Sequence, residues 1–184
     1  MTTPARHRPR VATVWMGGCS GCHMSLLDMD ERLLDLAAQI DLVFSPFMDV
    51  KEFPEGVDVT LVEGAVANED HLRQIKTVRD RSVVLVAFGD CAVTGNVTAL
   101  RNPFGGAEPV LQSVYADAAA GRARPVFEPG IVPALLDKVL TVRECVVVDF
   151  YLPGCPPHAD LIHHVLTELI AGRRPNLRGD ARLG

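Results

Sequence analysis

Ser82-Val83-Val84-Leu85-Val86-Ala87-Phe88 is an unbroken apolar run that ends abruptly in Gly89-Asp90-Cys91. It is short for a helix, and it lacks the polar alternation of a half-exposed strand, so it reads as a strand covered on both faces. Such a strand belongs to a parallel sheet with helices on either side. Comparable runs surround it. Upstream, residues 10–16 lead into Gly17-Gly18, residues 40–44 are closed by Ser45-Pro46, and residues 57–62 end at Glu63-Gly64. Downstream, residues 145–151 are broken by Pro153-Gly154.

Helical patterns fill the gaps. Leu26, Leu27, Leu33, Leu34 and Ala37 recur at helical spacing and predict a helix over 22–38. Asn68 or Asp70 is placed to cap a polar helix running to about Asp80. Residues 111–120 and 131–140 read as two more, the second with Pro133 in its first turn. A closing helix over 156–171 should stop at Gly172. This alternation predicts an α/β fold: a flavodoxin-like open parallel sheet of about five strands with helices on both faces, in the order 2-1-3-4-5. Residues 105–130 are the least regular and are expected to order against a partner.

The bulk numbers narrow the function. The chain has 184 residues, 48% hydrophobic and 22% charged, enough for one domain with a core and short for two. A net charge of −5 argues against a phosphate-binding surface, so no nucleic-acid partner is expected. Arg6, Arg8 and Arg10 at one end and Arg173, Arg174, Arg178 and Arg182 at the other read as solvated tails. No apolar run approaches the roughly 20 residues of a membrane span. Residues 11–16 are too short for a secretory apolar segment, so the chain reads as cytoplasmic.

The 5 cysteines are an odd number, which argues against a disulfide-stapled domain and for metal or redox chemistry. Cys19 and Cys22 form a C-x-x-C after the first strand, Cys91 follows the fourth and Cys155 the fifth. In an open α/β sheet these positions all lie at the carboxyl edge, where ligand sites form. Thiols arriving from separate connections point to an iron–sulfur cluster, with structural zinc and plain redox cysteines as the alternatives. Cys145 stands apart: it opens an apolar run and reads as a buried inert thiol.

The motifs themselves are familiar. Gly18-Cys19-Ser20-Gly21-Cys22-His23-Met24-Ser25, Val62-Glu63-Gly64-Ala65, Gly89-Asp90-Cys91-Ala92 and Pro153-Gly154-Cys155-Pro156-Pro157 resemble the small subunit of [NiFe]-hydrogenases. Leu27-Asp28-Met29-Asp30-Glu31 and Asn96-Val97-Thr98-Ala99-Leu100-Arg101-Asn102-Pro103 turn the resemblance toward the short small subunit of cytoplasmic NAD-reducing (bidirectional) enzymes. It covers about residues 11–177. The resemblance implies that Cys19, Cys22, Cys91 and Cys155 hold one proximal [4Fe–4S] cluster. That cluster would relay electrons between the Ni–Fe site of a large subunit and a diaphorase module carrying iron–sulfur groups, FMN and NAD. The expected organisation is a flexible tail over 1–10, an iron–sulfur domain over 11–175 and a second tail over 176–184. A related subunit of NADH:quinone oxidoreductase is the runner-up, although it has two adjacent cysteines where this chain has Cys19-Ser20-Gly21-Cys22. A flavodoxin-type FMN carrier is a third reading, but its phosphate would need the loop that Cys19 and Cys22 occupy.

Two neighbours of the cysteines attract a role. Glu63 ends the third strand amid the cysteine-bearing ends, as a capping or loop-bonding carboxylate or, as the resemblance favours, a proton relay or subunit contact. His23 follows Cys22 and is read as packing, as a donor to a cluster sulfur or as a ligand. His158, His163 and His164 fall on the last helix, where solvation or packing is expected.

Overall fold

A computed structural model of the protein describes residues 8–117, 128 and 130–177. In chain order its elements are β1 (Arg10–Trp15), α1 (Gly21–Leu27), α2 (Glu31–Ala37), β2 (Asp41–Phe44), β3 (Val57–Glu63), β4 (Val66–Asn68), α3 (Glu69–Arg81) and β5 (Ser82–Phe88). They continue as α4 (Asp90–Thr94), α5 (Asn96–Ala99), α6 (Ala107–Leu111), β6 (Leu135–Leu140), α7 (Val142–Cys145), β7 (Phe150–Leu152) and α8 (Ala159–Ile170). A 3-10 turn at Asn102–Phe104 precedes α6, and a π-helical stretch at Gln112–Asp117 follows it.

Five parallel strands lie in the order β2-β1-β3-β5-β7, which is the expected 2-1-3-4-5 when the main-sheet strands are counted alone. The apolar runs form strands because their side chains divide between two covered faces. Val11, Val59, Leu61, Val86 and Phe88 meet Leu26, Met29, Leu36, Ile162 and Val165 on one side. Ala12, Val14, Val62, Leu85 and Ala87 meet Ile75, Val78 and Val142 on the other. Removing a side chain such as Leu61 or Phe88 from water contributes about 1.5–3 kcal/mol, and both are fully buried. Asn68 caps α3 as expected, its side chain accepting from the His71 N–H at 2.8 Å.

Several expected elements differ. The helix over 22–38 is two helices, parted by a turn in which Asp30 takes φ 52 and Met29 enters the core at 1% exposed. Residues 131–140 do not form a helix: β6 pairs antiparallel with β4 in a separate two-stranded sheet. The Asn102 side chain bonds both the N–H and the carbonyl of Val139, at 2.8 and 3.0 Å, in the manner of a neighbouring strand. The Arg101 guanidinium takes the Leu136 carbonyl at 2.5 Å. These tertiary partners outweigh a helical apolar pattern, a common override of local propensity.

The expected strand over 145–151 shortens to β7. Before it stands α7, started by a capping box in which Thr141 and Glu144 serve each other's backbone N–H groups. The helix expected over 111–120 begins earlier, at Ala107, and passes into the π-helical stretch; residues 118–127 and 129 lie outside the described residues. The closing helix starts at Ala159 rather than 156, because Pro156 and Pro157 belong to the turn before it. Arg8 and Arg10 are not free: Arg10 opens β1, its N–H donating to Asp58 at 2.7 Å, and Arg8 bonds the carbonyls of Ala37 and Ile40. Residues 1–7 and 178–184, the rest of the two tails, lie outside the described residues. No helix among the described residues is long and apolar enough to cross a membrane.

Candidate metal centre

Strand register sets where the cysteines emerge. Trp15 of β1 pairs with Glu63 of β3, Glu63 with Phe88 of β5, and Phe88 with Leu152 of β7. Four adjacent strands therefore finish in one row. The chain leaves that row through Gly17-Gly18 to Cys19, through Gly89-Asp90 to Cys91 and through Pro153-Gly154 to Cys155, with Cys22 in the first turn of α1.

The structure brings the four thiols within electrostatic reach of one another. Burial pushes the Cys22 thiol up, and the charges of Glu63, Cys91, Cys19 and Cys155 add to the effect. Burial also pushes Cys91 up, opposed by a hydrogen bond with Thr98 and reinforced by Cys19, Cys155 and Glu63. Cys22 and Cys91 therefore keep their protons at neutral pH until a cation takes them, and binding then releases those protons. Cys22 and Cys91 are buried while Cys19 and Cys155 are exposed, so the set opens to solvent on one side.

Glycine makes this approach possible. Gly89 sits at φ +81, and a Cβ built there would fall 2.1 Å from the Cys22 sulfur. Gly64, at φ +92, lies against the backbone of Met16 and Gly17, 2.9 Å from the place of a Cβ. Among the described residues no three His, Cys, Asp or Glu side chains are gathered so as to hold a single metal ion. The donor set is four soft thiols around a glycine-walled cradle, and that chemistry fits the four-thiolate ligation of an iron–sulfur group.

Side chains brace the loops. The Asp90 carboxylate accepts from Gly154 N–H at 2.7 Å while its own N–H donates to the Gly154 carbonyl at 3.0 Å, tying the Cys91 and Cys155 loops together. Ser25 donates to the Pro157 carbonyl at 2.6 Å, and Thr98 to the Gly17 carbonyl at 2.8 Å. The Cys155–Pro156 peptide is cis. The sequence alone does not reveal the bracing roles of Asp90, Ser25 and Thr98. Asp90 had a signal, its place between Gly89 and Cys91, but a carboxylate beside a thiol reads as repulsion until its N–H partner is seen.

Glu63 is 1% exposed and turned toward α1. Its Oε2 accepts the backbone N–H of His23 at 2.9 Å and pairs with Nδ1 of the same residue. Ser20 gives α1 no side-chain cap, so a carboxylate from β3 caps it instead. His23, also 1% exposed, stands edge-on to the rings of Phe47 and Phe88. Its Nε2 is buried without a hydrogen-bond partner among the described residues. His158 caps α8, its Nδ1 accepting from the Asp160 N–H at 3.3 Å, and both His158 and His164 are exposed.

Cys145 differs from the expectation. It ends α7 rather than opening a strand, and it is half-buried rather than buried, packed at the edge of the second core face. Burial and then Glu144 push its thiol up, which keeps it protonated and unreactive. Cys145→Ala should leave iron and sulfide content unchanged and cost about 1 kcal/mol of stability. Metal counting with denaturant unfolding checks both, and iron loss equal to that of the other cysteine variants would place Cys145 in the ligand set.

The chain's residues 19–169 match the family model described as NADH ubiquinone oxidoreductase, 20 Kd subunit. It is 39% identical over 168 residues to the NAD-reducing hydrogenase HoxS subunit delta of Cupriavidus necator, a match covering 89% of this chain and 79% of that protein. It is 29% identical over 184 residues to the iron-sulfur subunit of an F420-non-reducing hydrogenase from Archaeoglobus profundus, covering 90% of this chain and 57% of the relative. Among solved structures, a chain of the NAD+-reducing [NiFe]-hydrogenase in the H2-reduced state superimposes with a TM-score of 0.91 at 38% identity, covering 97% of this chain and 100% of that one.

Proposed function

The chain belongs to the NADH ubiquinone oxidoreductase 20 Kd subunit family, among its hydrogenase small subunits, and on that premise we propose that it is the electron-relay subunit of a cytoplasmic NAD-reducing [NiFe]-hydrogenase. Cys19, Cys22, Cys91 and Cys155 would hold one [4Fe–4S] cluster. When bound, that group supplies single-electron acceptance and release between the Ni–Fe site of a large subunit and a diaphorase module with flavin and NAD. The observation that carries the reading is the convergence of four thiols from three strand ends on one edge of the sheet.

The chain's own residues do the positioning. Gly17, Gly64 and Gly89 let backbone and sulfur approach closely. Asp90 and Ser25 fix the Cys155 loop against its neighbours. The large subunit would dock over the carboxyl edge, where Cys19 and Cys155 are exposed. Trp15, Met24 and Val97 present apolar surface from β1, α1 and α5, 47, 54 and 55% exposed, and Phe47, in the turn after β2, adds to it at 56%. Glu63, enclosed next to the cysteines, would carry protons between the partner's site and this subunit.

Anaerobically purified protein is expected to contain about four iron and four sulfide per chain and to give the spectrum of a cubane cluster on reduction. Stoichiometric zinc without sulfide would end the cluster reading. Full hydrogen oxidation by the isolated chain would overturn its role as a subunit.

A further inference from the structure

Helix α5 brings a side-chain donor to the cysteine edge that the ligand set does not need. The Asn96 amide nitrogen lies 3.4 Å from the sulfur of Cys155, within hydrogen-bond reach of a sulfur acceptor. We propose that Asn96 is a positioning and tuning residue of the four-cysteine site, donating an N–H to the exposed Cys155 sulfur and thereby favouring the reduced state of the bound group. The inference rests on the cluster reading above and adds to it a residue that sets the potential.

The placement is built rather than incidental. Asn96 adopts φ 36, in the left-handed region where Asn is among the tolerated non-glycine residues. It directly follows Gly95, which ends α4, so the chain turns sharply between Cys91 and Asn96. Two turns of chain are then pinned from outside. Thr98 donates to the Gly17 carbonyl at 2.8 Å, holding α5 to the loop that leads to Cys19. Arg101 reaches the carbonyls of Ala67 and Leu136, at 3.1 and 2.5 Å, fastening the end of this segment to the β4–β6 sheet. Asn96 is thus held between a strand end of the main sheet and the small second sheet.

The chemistry follows from charge. A thiolate bound to iron gains negative charge when the group is reduced, and an N–H aimed at its sulfur stabilises that state more than the oxidised one. Hydrogen bonds to sulfur are among the levers that set iron–sulfur potentials. Cys155 is exposed while Cys22 is buried, and the Asn96 amide is the side-chain donor that reaches the Cys155 sulfur.

A purely conformational role for Asn96 makes a different prediction, which separates the two. Glycine accepts a positive φ without strain but offers no donor. Aspartate keeps the size and tolerates the backbone, but replaces the donor with a carboxylate. In the anaerobically purified protein, with whatever subunits accompany it, Asn96→Gly should keep its iron. Its one-electron reduction equilibrium should fall about tenfold, a midpoint lower by about 59 mV. Asn96→Asp should lie lower still. Resonance Raman bands of the terminal iron–thiolate stretches should respond to D2O in the wild type and lose part of that response in both variants. Midpoints within twofold of wild type in both variants, with iron retained, overturn the proposal. Should Asn96→Gly shed iron, Asn96→Asp carries the comparison alone. A wild-type protein without iron and sulfide refutes the cluster reading instead, and that count is taken before any variant is compared.

Discussion

Serine at Cys22 is expected to empty the site. Cys22 is buried, with Glu63 and the three other thiols near enough to act on its charge. A serine hydroxyl there would have to ionise in the same negative, desolvated place, and a hydroxyl ionises far less readily than a thiol. Iron should fall from about four per chain to near background, and hydrogen-dependent NAD reduction by the assembled enzyme should vanish with it. Gly89→Ala approaches the same end without touching a donor, because its Cβ would arrive 2.1 Å from the Cys22 sulfur. Cys19 and Cys155 are exposed, so serine there meets less desolvation and should leave a partly loaded or converted cluster. The check is iron and sulfide counting with low-temperature EPR on all the variants. Undiminished iron in Cys22→Ser would remove Cys22 from the ligand set.

Much of this site was legible because it is written in the oldest regularity of α/β sheets. A continuous apolar run such as Ser82–Phe88 can only be covered on both sides, and such strands all end at one edge. Once the runs are found, the residues just after them are neighbours whatever their separation in sequence. That argument places Cys19, Cys91 and Cys155 together without any tertiary contact being known, and the register of Trp15, Glu63, Phe88 and Leu152 agrees with it. What stayed hidden depends on partners far away in the chain. Residues 135–140 carry a helical spacing of apolar side chains, yet Val66, Asn68, Arg101 and Asn102 supply strand-like bonds to them. Thr141 and Glu144 spell a capping box in the sequence, and that signal starts a helix at Val142 where the apolar run alone suggests a strand. The Asn96 contact is not legible in the sequence, because it joins the start of α5 to the Cys155 loop, whose relative height above the sheet no pattern encodes.

Glutamine at Glu63 is expected to lower hydrogen turnover by at least about 100-fold, the lower range of what a positioned proton-transfer group contributes, while leaving the protein assembled and loaded. The geometry makes this substitution unusually clean. Glu63 caps α1 through Oε2, which takes the His23 N–H at 2.9 Å and also faces Nδ1 of the same ring. A glutamine can turn its carbonyl oxygen to that same place, so the cap and the contact with His23 survive. What is lost is the ability to pick up and release a proton. The electrostatics also protect the cluster in this variant. Glu63 is one of the charges that push the Cys22 and Cys91 thiols up, so removing it eases their ionisation and should not weaken metal binding. A fall in turnover with full iron content therefore cannot be assigned to a damaged site. The measurement pairs hydrogen oxidation by the complex with iron counting and the midpoint potential, which should rise slightly as a negative charge leaves the neighbourhood. Leu at the same position removes the cap as well, and should cost stability and iron in addition to activity. If Glu63→Gln turns over hydrogen at the wild-type rate, the carboxylate is a capping group for α1 and protons take another route.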